Sequence, residues 1–295
     1  MMKTDVRGLV VSEKRVGEND RLVTLLTAEK GILRAFVQRP RHAGGGRLSA
    51  TRLLTYSRFS IFEGRSSYIV DDAQPIEIFF DLCKGLGSLS LAQYFCELAI
   101  ALAPQGSEAE NFLRLLLNAM YFLCRGTHPK RVLKSIVEMR IMSLAGYMPD
   151  LVCCEKCGCY EADKMFFMPR SGKIICGKCF APPEPPEPYF AMGRGAITAM
   201  RHTVYADFDK LFSFRVSEKV GKELSAASER YVLETLGHSF ATLDFYHNVM
   251  QQPAPEYGTS FDDAENKKTA YLIVPEQQAL SAENALLKAL PSTAQ

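Results

Sequence analysis

The sequence predicts an α+β, multi-domain protein: a five-stranded N-terminal barrel, then an all-helical domain carrying an inserted four-cysteine zinc ribbon. Three observations lead there. Residues 5–80 read as short strands, and the run Leu53–Phe62 alternates apolar and polar residues, the period of a strand. From Phe79 the apolar residues recur every three or four positions, the period of an amphipathic helix. Two C-x2-C pairs then stand eighteen residues apart, Cys154/Cys157 and Cys176/Cys179, a spacing that reads as a zinc site. A chain of 295 residues with 47% hydrophobic content suits about two domains and can bury a sizeable core.

The strand runs are Val6–Val11, Arg21–Thr27, Ile32–Val37, Leu53–Phe62 and Ser67–Val70. Glu29-Lys30-Gly31 supplies a glycine-containing hairpin connection between the second and third. Five short strands suggest a small barrel; the OB-like barrel is the commonest five-stranded kind, with an SH3-like barrel or an open meander as the other forms of the same pattern.

The loop from Gln38 to Arg47 is basic, glycine-rich and free of acids. Between Arg34 and Arg65 every cation is arginine, and the only acid is Glu63. The guanidinium fork suits phosphates and stacks on bases, so Arg34, Arg39, Arg41, Arg47 and Arg52 are the candidate nucleic-acid contacts. Tyr56, Phe59 and Tyr68 are candidate stacking rings beside them. The competing reading is a solvated hairpin loop with ordinary core aromatics. Gly44-Gly45-Gly46 lacks the G-K-[ST] or G-x-G-x-x-G setting of a phosphate loop.

Helical runs follow over Leu82–Leu102, from Ser107 to Leu123 and over Val132–Gly146, with Ser107-x-x-Glu110 read as a capping box. Cys83, Cys96 and Cys124 fall in these runs and read as small core residues. In the cysteine segment, glycine beside each pair (Gly158, Gly177) suits the tight turn that aims two thiolates at one ion. Four sulfurs leave no open position for water, which marks one structural Zn2+ rather than a catalytic ion. Cys153 and Cys159 are left as bystanders, and buried or redox-active thiols are the other reading. Met165–Met168 and Lys173–Ile175 form a hairpin turned by Ser171-Gly172. A ribbon this short cannot fold on its own core, so the metal is expected to supply the folding free energy. Prolines at 182, 183, 185, 186 and 188 stiffen the exit, and helical pattern resumes from Ala196 and runs from Val216 to Tyr246. The expected division is therefore 1–78 barrel, 79–150 and 181–250 helical domain, 151–180 zinc ribbon, and 251–295 a disordered tail with a short helix over 285–290.

Several classes fall away. The N-terminus has charge at Lys3, Asp5 and Arg7 and no long apolar run, so no signal peptide is expected. No stretch of about 18 apolar residues reads as a membrane span. Nine cysteines, six of them crowded around one site, fit a reducing, cytoplasmic setting. The five histidines are dispersed, and neither a zinc-deaminase signature, a G-x-S-x-G elbow nor a Walker A loop occurs, so a non-enzyme is favoured.

The run Gly17-Glu18-Asn19-Asp20-Arg21-Leu22-Val23-Thr24-Leu25-Leu26-Thr27-Ala28-Glu29-Lys30-Gly31 resembles the signature of the RecO family of bacterial recombination mediators. So does Gly146-Tyr147-Met148-Pro149-Asp150-Leu151 leading into Cys154-x-x-Cys157-Gly158, with Cys176-x-x-Cys179 closing the ribbon. The resemblance covers about residues 1–248. It implies an N-terminal OB domain, a helical domain and an inserted zinc ribbon. It also implies a nucleoid-associated protein that binds single- and double-stranded DNA, anneals complementary strands, and with RecR helps RecA replace single-strand binding protein in DNA repair and recombination. The rivals are a zinc-ribbon protein-interaction or transcription factor and a metal-dependent nucleic-acid enzyme.

Overall fold

In the computed structural model, residues 3–16, 20–38, 45–64 and 67–251 are described. The expectations for the 252–295 tail, for Arg39, Arg41 and Arg65, and for the conformation of residues 39–44 lie outside them.

The alternating residues close a barrel. Its strands are β1 (Lys3–Val16), β2 (Asp20–Thr27), β3 (Gly31–Val37), β4 (Thr55–Glu63) and β5 (Tyr68–Ile78), in the order β1-β2-β3-β5-β4. The first pairings are antiparallel hairpin neighbours, and the short parallel pairing of β3 with β5 joins the ends. This is the OB-like arrangement. Val6, Val10, Val23, Leu25, Leu33, Ala35, Phe59, Ile61 and Val70 fill the interior, and α1 (Gly45–Ala50) sends Ala50 into the same core. β1 and β5 run further than the sequence suggests. The second half of β5, Asp71–Ile78, is mostly exposed and polar, so it offers no alternation to read; its ladder to β4 holds it as a strand.

The outer face of the barrel is not left to solvent. Leu9, Val11, Leu26, Ile32, Leu54 and Tyr56 belong to the core of the helical region instead. At this seam the β2–β3 turn meets the chain between α2 (Leu86–Leu102) and α3 (Glu110–Arg125). Ile32 N–H donates to the Pro104 carbonyl at 2.8 Å, Gly106 to Lys30 at 3.0 Å and Ala109 to Ala28 at 2.7 Å. Gly31 has a left-handed φ of +61°, and a Cβ there would collide with the Pro104 carbonyl. Docking of residues 104–109 also displaces the expected capping box: α3 starts at Glu110, Ala109 is its N-cap, and no side chain caps it.

A 3-10 turn (Phe80–Lys84) precedes α2, and α4 (Lys130–Leu144) follows α3. Of the three scattered cysteines only Cys96 is a core residue; Cys124 is half-buried and Cys83, on the 3-10 turn, is exposed. α5 (Arg194–Tyr205), α6 (Glu218–Leu236) and α7 (Ala241–Gln251) complete the helical region. The run to Tyr246 is two helices, because Gly237 at φ +70° ends α6. α4 buries a charge pair that its periodicity does not announce. Lys134 lies 2.9 Å from Glu138 and 2.8 Å from Glu229 of α6, with Lys134 and Glu138 fully enclosed. Tyr94 of α2 and Ser228 of α6 donate hydrogen bonds to Glu138, and His247 of α7 contacts Glu229 at 3.0 Å. Four helices thus share one polar network.

The inserted segment makes a three-stranded antiparallel sheet, β7-β6-β8, from β6 (Lys164–Met168), β7 (Lys173–Cys176) and β8 (Phe190–Gly193). The Ser171-Gly172 turn forms as expected, with Gly172 at φ +68°. β8 lies beyond the proline-rich stretch, so the ribbon's sheet reaches past residue 180. Met165, Phe167, Ile174 and Met192 sit in the helical core, and the Phe167 ring lies 5.8 Å from that of Tyr231 on α6. The ribbon therefore shares an apolar core rather than lacking one.

Candidate metal centre and nucleic-acid interface

Two tight turns carry the sulfurs. In the first, Gly158 N–H donates to the Cys154 carbonyl and Cys154 N–H to that of Cys159, both at 2.9 Å, with Gly158 at φ +69°. In the second, the N–H groups of Cys179 and Phe180 both donate to the Cys176 carbonyl at 3.0 Å. Gly177 is not in the left-handed region, so the second turn does not require glycine for its backbone angles. Together the turns bring the sulfurs of Cys154, Cys157, Cys176 and Cys179 within 4.8 Å of one another, a set that could hold a metal ion. Cys159 points its thiol at the Glu161 carbonyl, 3.0 Å away, and neither it nor Cys153 joins the cluster.

Electrostatics favour a thiolate at Cys154. Burial pushes its thiol up, but the N–H groups of Cys176, Cys157 and Lys156 aimed at the sulfur outweigh that and bring it down to about 6. The Cys176 N–H contact is 3.3 Å. The thiolate is the metal-binding form.

Arg201 on α5 holds the first turn in place, and the sequence gives no sign of it. Its guanidinium donates to the carbonyls of Leu151 (2.7 Å), Val152 (3.0 Å) and Tyr160 (2.7 Å), and lies 4.1 Å from the Tyr160 ring centroid. Both ends of the segment bearing Cys154 and Cys157 are thereby tied to one helix.

The candidate DNA contacts scatter more widely. Arg34 is exposed on the outer face of β3, and Arg52 is exposed just before β4. Arg47, in α1, is half-buried and donates to the Val70 carbonyl of β5. Arg39 and Arg41 are outside the described residues. Two of the expected stacking rings are corrected: Tyr56 is 3% exposed in the seam and Phe59 is fully buried in the barrel interior. Tyr68 is half-buried against the barrel interior, with Lys30 over its ring at 5.2 Å. Sequence alternation around Phe59 marked a strand correctly but assigned its inward side to a ligand.

Comparison with known proteins fits this architecture piece by piece. The family model described as Recombination protein O N terminal matches residues 1–79, and that described as Recombination protein O C terminal matches residues 84–244. A protein named DNA repair protein RecO from Acetivibrio thermocellus is 32% identical over 238 residues, 81% of this chain and 94% of that one. The chain belongs to the RecO family. RecO proteins of Caldicellulosiruptor saccharolyticus (24% identical; 81% of this chain, 96% of that one) and Symbiobacterium thermophilum (26%; 78% and 90%) share the same extent. The N-terminal RecO match ends within one residue of Ile78, where β5 stops, and the C-terminal match contains all four clustered cysteines. As a RecO-family protein the chain is a DNA repair protein, of a family known as mediators rather than catalysts. Among the described residues no helix is long and apolar enough to cross a membrane.

Proposed function

We propose that this RecO-family protein binds single- and double-stranded DNA, anneals complementary strands, and together with RecR helps load RecA onto DNA covered by single-strand binding protein. The observation that carries the reading is the closed β1-β2-β3-β5-β4 barrel in a RecO-family chain, since OB-type barrels bind oligonucleotides through their strand face and loops. Arg34 and Arg52, exposed on that barrel, and Arg39, Arg41 and Arg47 from the basic segment between them would neutralise phosphates. The helical domain would hold protein partners.

Cys154, Cys157, Cys176 and Cys179 would bind one structural Zn2+. Zn–S bonds of about 2.3 Å set the edge of a four-sulfur tetrahedron at about 3.8 Å. Cys157 and Cys176 have their sulfurs 3.7 Å apart. Bound there, zinc would fix the two turns against each other, and four thiolates would leave it no position for water.

Strand annealing measured with and without saturating single-strand binding protein tests the reading. Annealing should proceed on both bare and covered strands, and DNA affinity should fall with salt by roughly 0.7–0.9 in log–log slope per phosphate contact. Salt-independent binding, or no binding to single strands, would overturn it.

A further inference from the structure

The barrel's outer face carries an apolar stripe that belongs to neither core. Strand register places Leu22 of β2 opposite Phe36 of β3, Phe36 beside Ile69 of β5, and Ile69 opposite Phe62 of β4. Inward neighbours fix the side: Val23, Ala35, Val70 and Ile61 are all in the barrel interior, so the four residues next to them point outward. Each of the four is half-buried, and none packs against the barrel core or the helical core. The stripe therefore crosses four strands and is separate from the seam with the helices.

Its surroundings indicate what it receives. Lys14 of β1 is the next residue in register beyond Leu22, and Lys3 of β1 the next beyond Phe62. Arg34 lies two positions before Phe36 on the same outward side of β3 and, with Lys14, has no ion pair among the described residues. Flat rings bordered by cations, of which Arg34 and Lys14 have no ion pair among the described residues while Lys3 pairs with Asp71 at 2.8 Å, match a chain of bases joined by phosphates: each ring offers a face to a base, and each unpaired cation an electrostatic contact.

We infer that Phe36 and Phe62, supported by Leu22 and Ile69, form the platform on which bases of single-stranded DNA stack. The inference rests on the DNA-binding reading above. It replaces the buried Tyr56 and Phe59 with rings that a base can reach, and it separates the two strand forms: bases in a duplex are already stacked on each other, so only single strands gain from the platform.

The chain contains no tryptophan, which makes a direct test simple. Phe36→Trp and Phe62→Trp each introduce a single indole, and titration with an oligothymidylate should quench its fluorescence. Phe245→Trp, on an exposed position of α7, should stay unquenched. In the full chain Phe36→Ala with Phe62→Ala should weaken oligothymidylate binding by roughly 5-fold or more, since stacking contributes about 1–3 kcal/mol per base, and leave the salt slope unchanged. Duplex affinity should stay near that of the parent, and Phe36→Leu, which keeps the apolar stripe, should lose single-strand affinity while retaining the parent's melting temperature. Normal oligothymidylate binding with an unquenched indole at both positions would overturn the platform alone. Indole emission that shifts with protein concentration in the absence of DNA would also overturn it, by making the stripe an interface between copies. Absence of any single-strand binding by the parent chain would overturn the functional reading with it.

Discussion

The barrel and the cysteine ribbon both lean on the helical core, but they differ in what they keep for themselves. The barrel has a private interior built from Val6, Val10, Val23, Leu25, Phe59 and Ile61, and lends only its outer side to the seam. The ribbon's buried apolar residues Met165, Phe167, Ile174 and Met192 all belong to the shared core, while Phe166, Phe180 and Tyr189 gather on its outer side. At its outer end, where Cys157 is exposed, four sulfurs stand where a small core would otherwise be. The difference teaches that metal need not hold the whole ribbon. Its sheet is fixed by packing, so an ion held by the four sulfurs would act on the two turns alone.

The largest expected effect follows from that division. Cys154→Ser should take metal content from one ion per chain to none, because structural zinc binds its thiolates with about 10–16 kcal/mol in isolated peptides. Cys153→Ser and Cys159→Ser should each keep one ion. Elemental analysis reads the metal, and hydrogen exchange should show faster exchange at residues 152–160 and 176–180 but not at β6 or in the barrel. Exchange that spread across β6 would mean the metal holds the sheet as well.

Next comes the helical core on which both regions rest. Lys134→Ala leaves Glu138 enclosed without its cation, at a cost of about 3–5 kcal/mol, to be read by chemical denaturation. Gly31→Ala should cost about 2–4 kcal/mol, combining a left-handed backbone with a collision at Pro104. Gly106→Ala, also left-handed but with open space around it, should cost less. Equal losses at the two glycines would mean that backbone strain, not the seam, sets the penalty.

The smallest effect concerns pH. Burial pushes Glu229 up, but Lys134 and His247 outweigh it and hold the carboxyl below the usual 4.5. Its stabilisation is therefore present above pH 4.5 and lost as pH falls through the lowered value. Burial raises Glu138 despite Lys134, so its contribution is present below 4.5 and lost as pH rises through the raised value. The two have opposite signs. Glu229→Gln should remove the acid-side loss, giving a stability curve that falls less steeply below pH 4.5 than the parent's.

Much of the architecture is legible in residue patterns. Short apolar runs located all five strands, with clear alternation over Leu53–Phe62, the glycine in Glu29-Lys30-Gly31 marked the turn, and cysteine spacing picked the same four sulfurs that cluster in space. The seam was harder because burial on both faces erases alternation. Its trace is the unbroken Leu9-Val10-Val11 and Leu25-Leu26, where neighbours face different cores. Arg201 could not be found at all, since its partners are main-chain carbonyls of residues 151, 152 and 160, which any sequence supplies. The rings were misassigned because alternation tells that Phe59 and its neighbours face opposite ways, but not which way is in.

The docking of the β2–β3 turn onto residues 104–109 bears on how such proteins can be recombined with one another. A barrel transplanted from a relative at the boundary near residue 79 would arrive with its own version of the turn and meet a foreign Pro104 carbonyl, while its outward leucines would meet a foreign α2 and α3. A hybrid that also carried residues 102–109 with the barrel would keep the three main-chain hydrogen bonds of the seam intact. The natural joint for grafting is thus discontinuous in sequence, although the barrel itself is not.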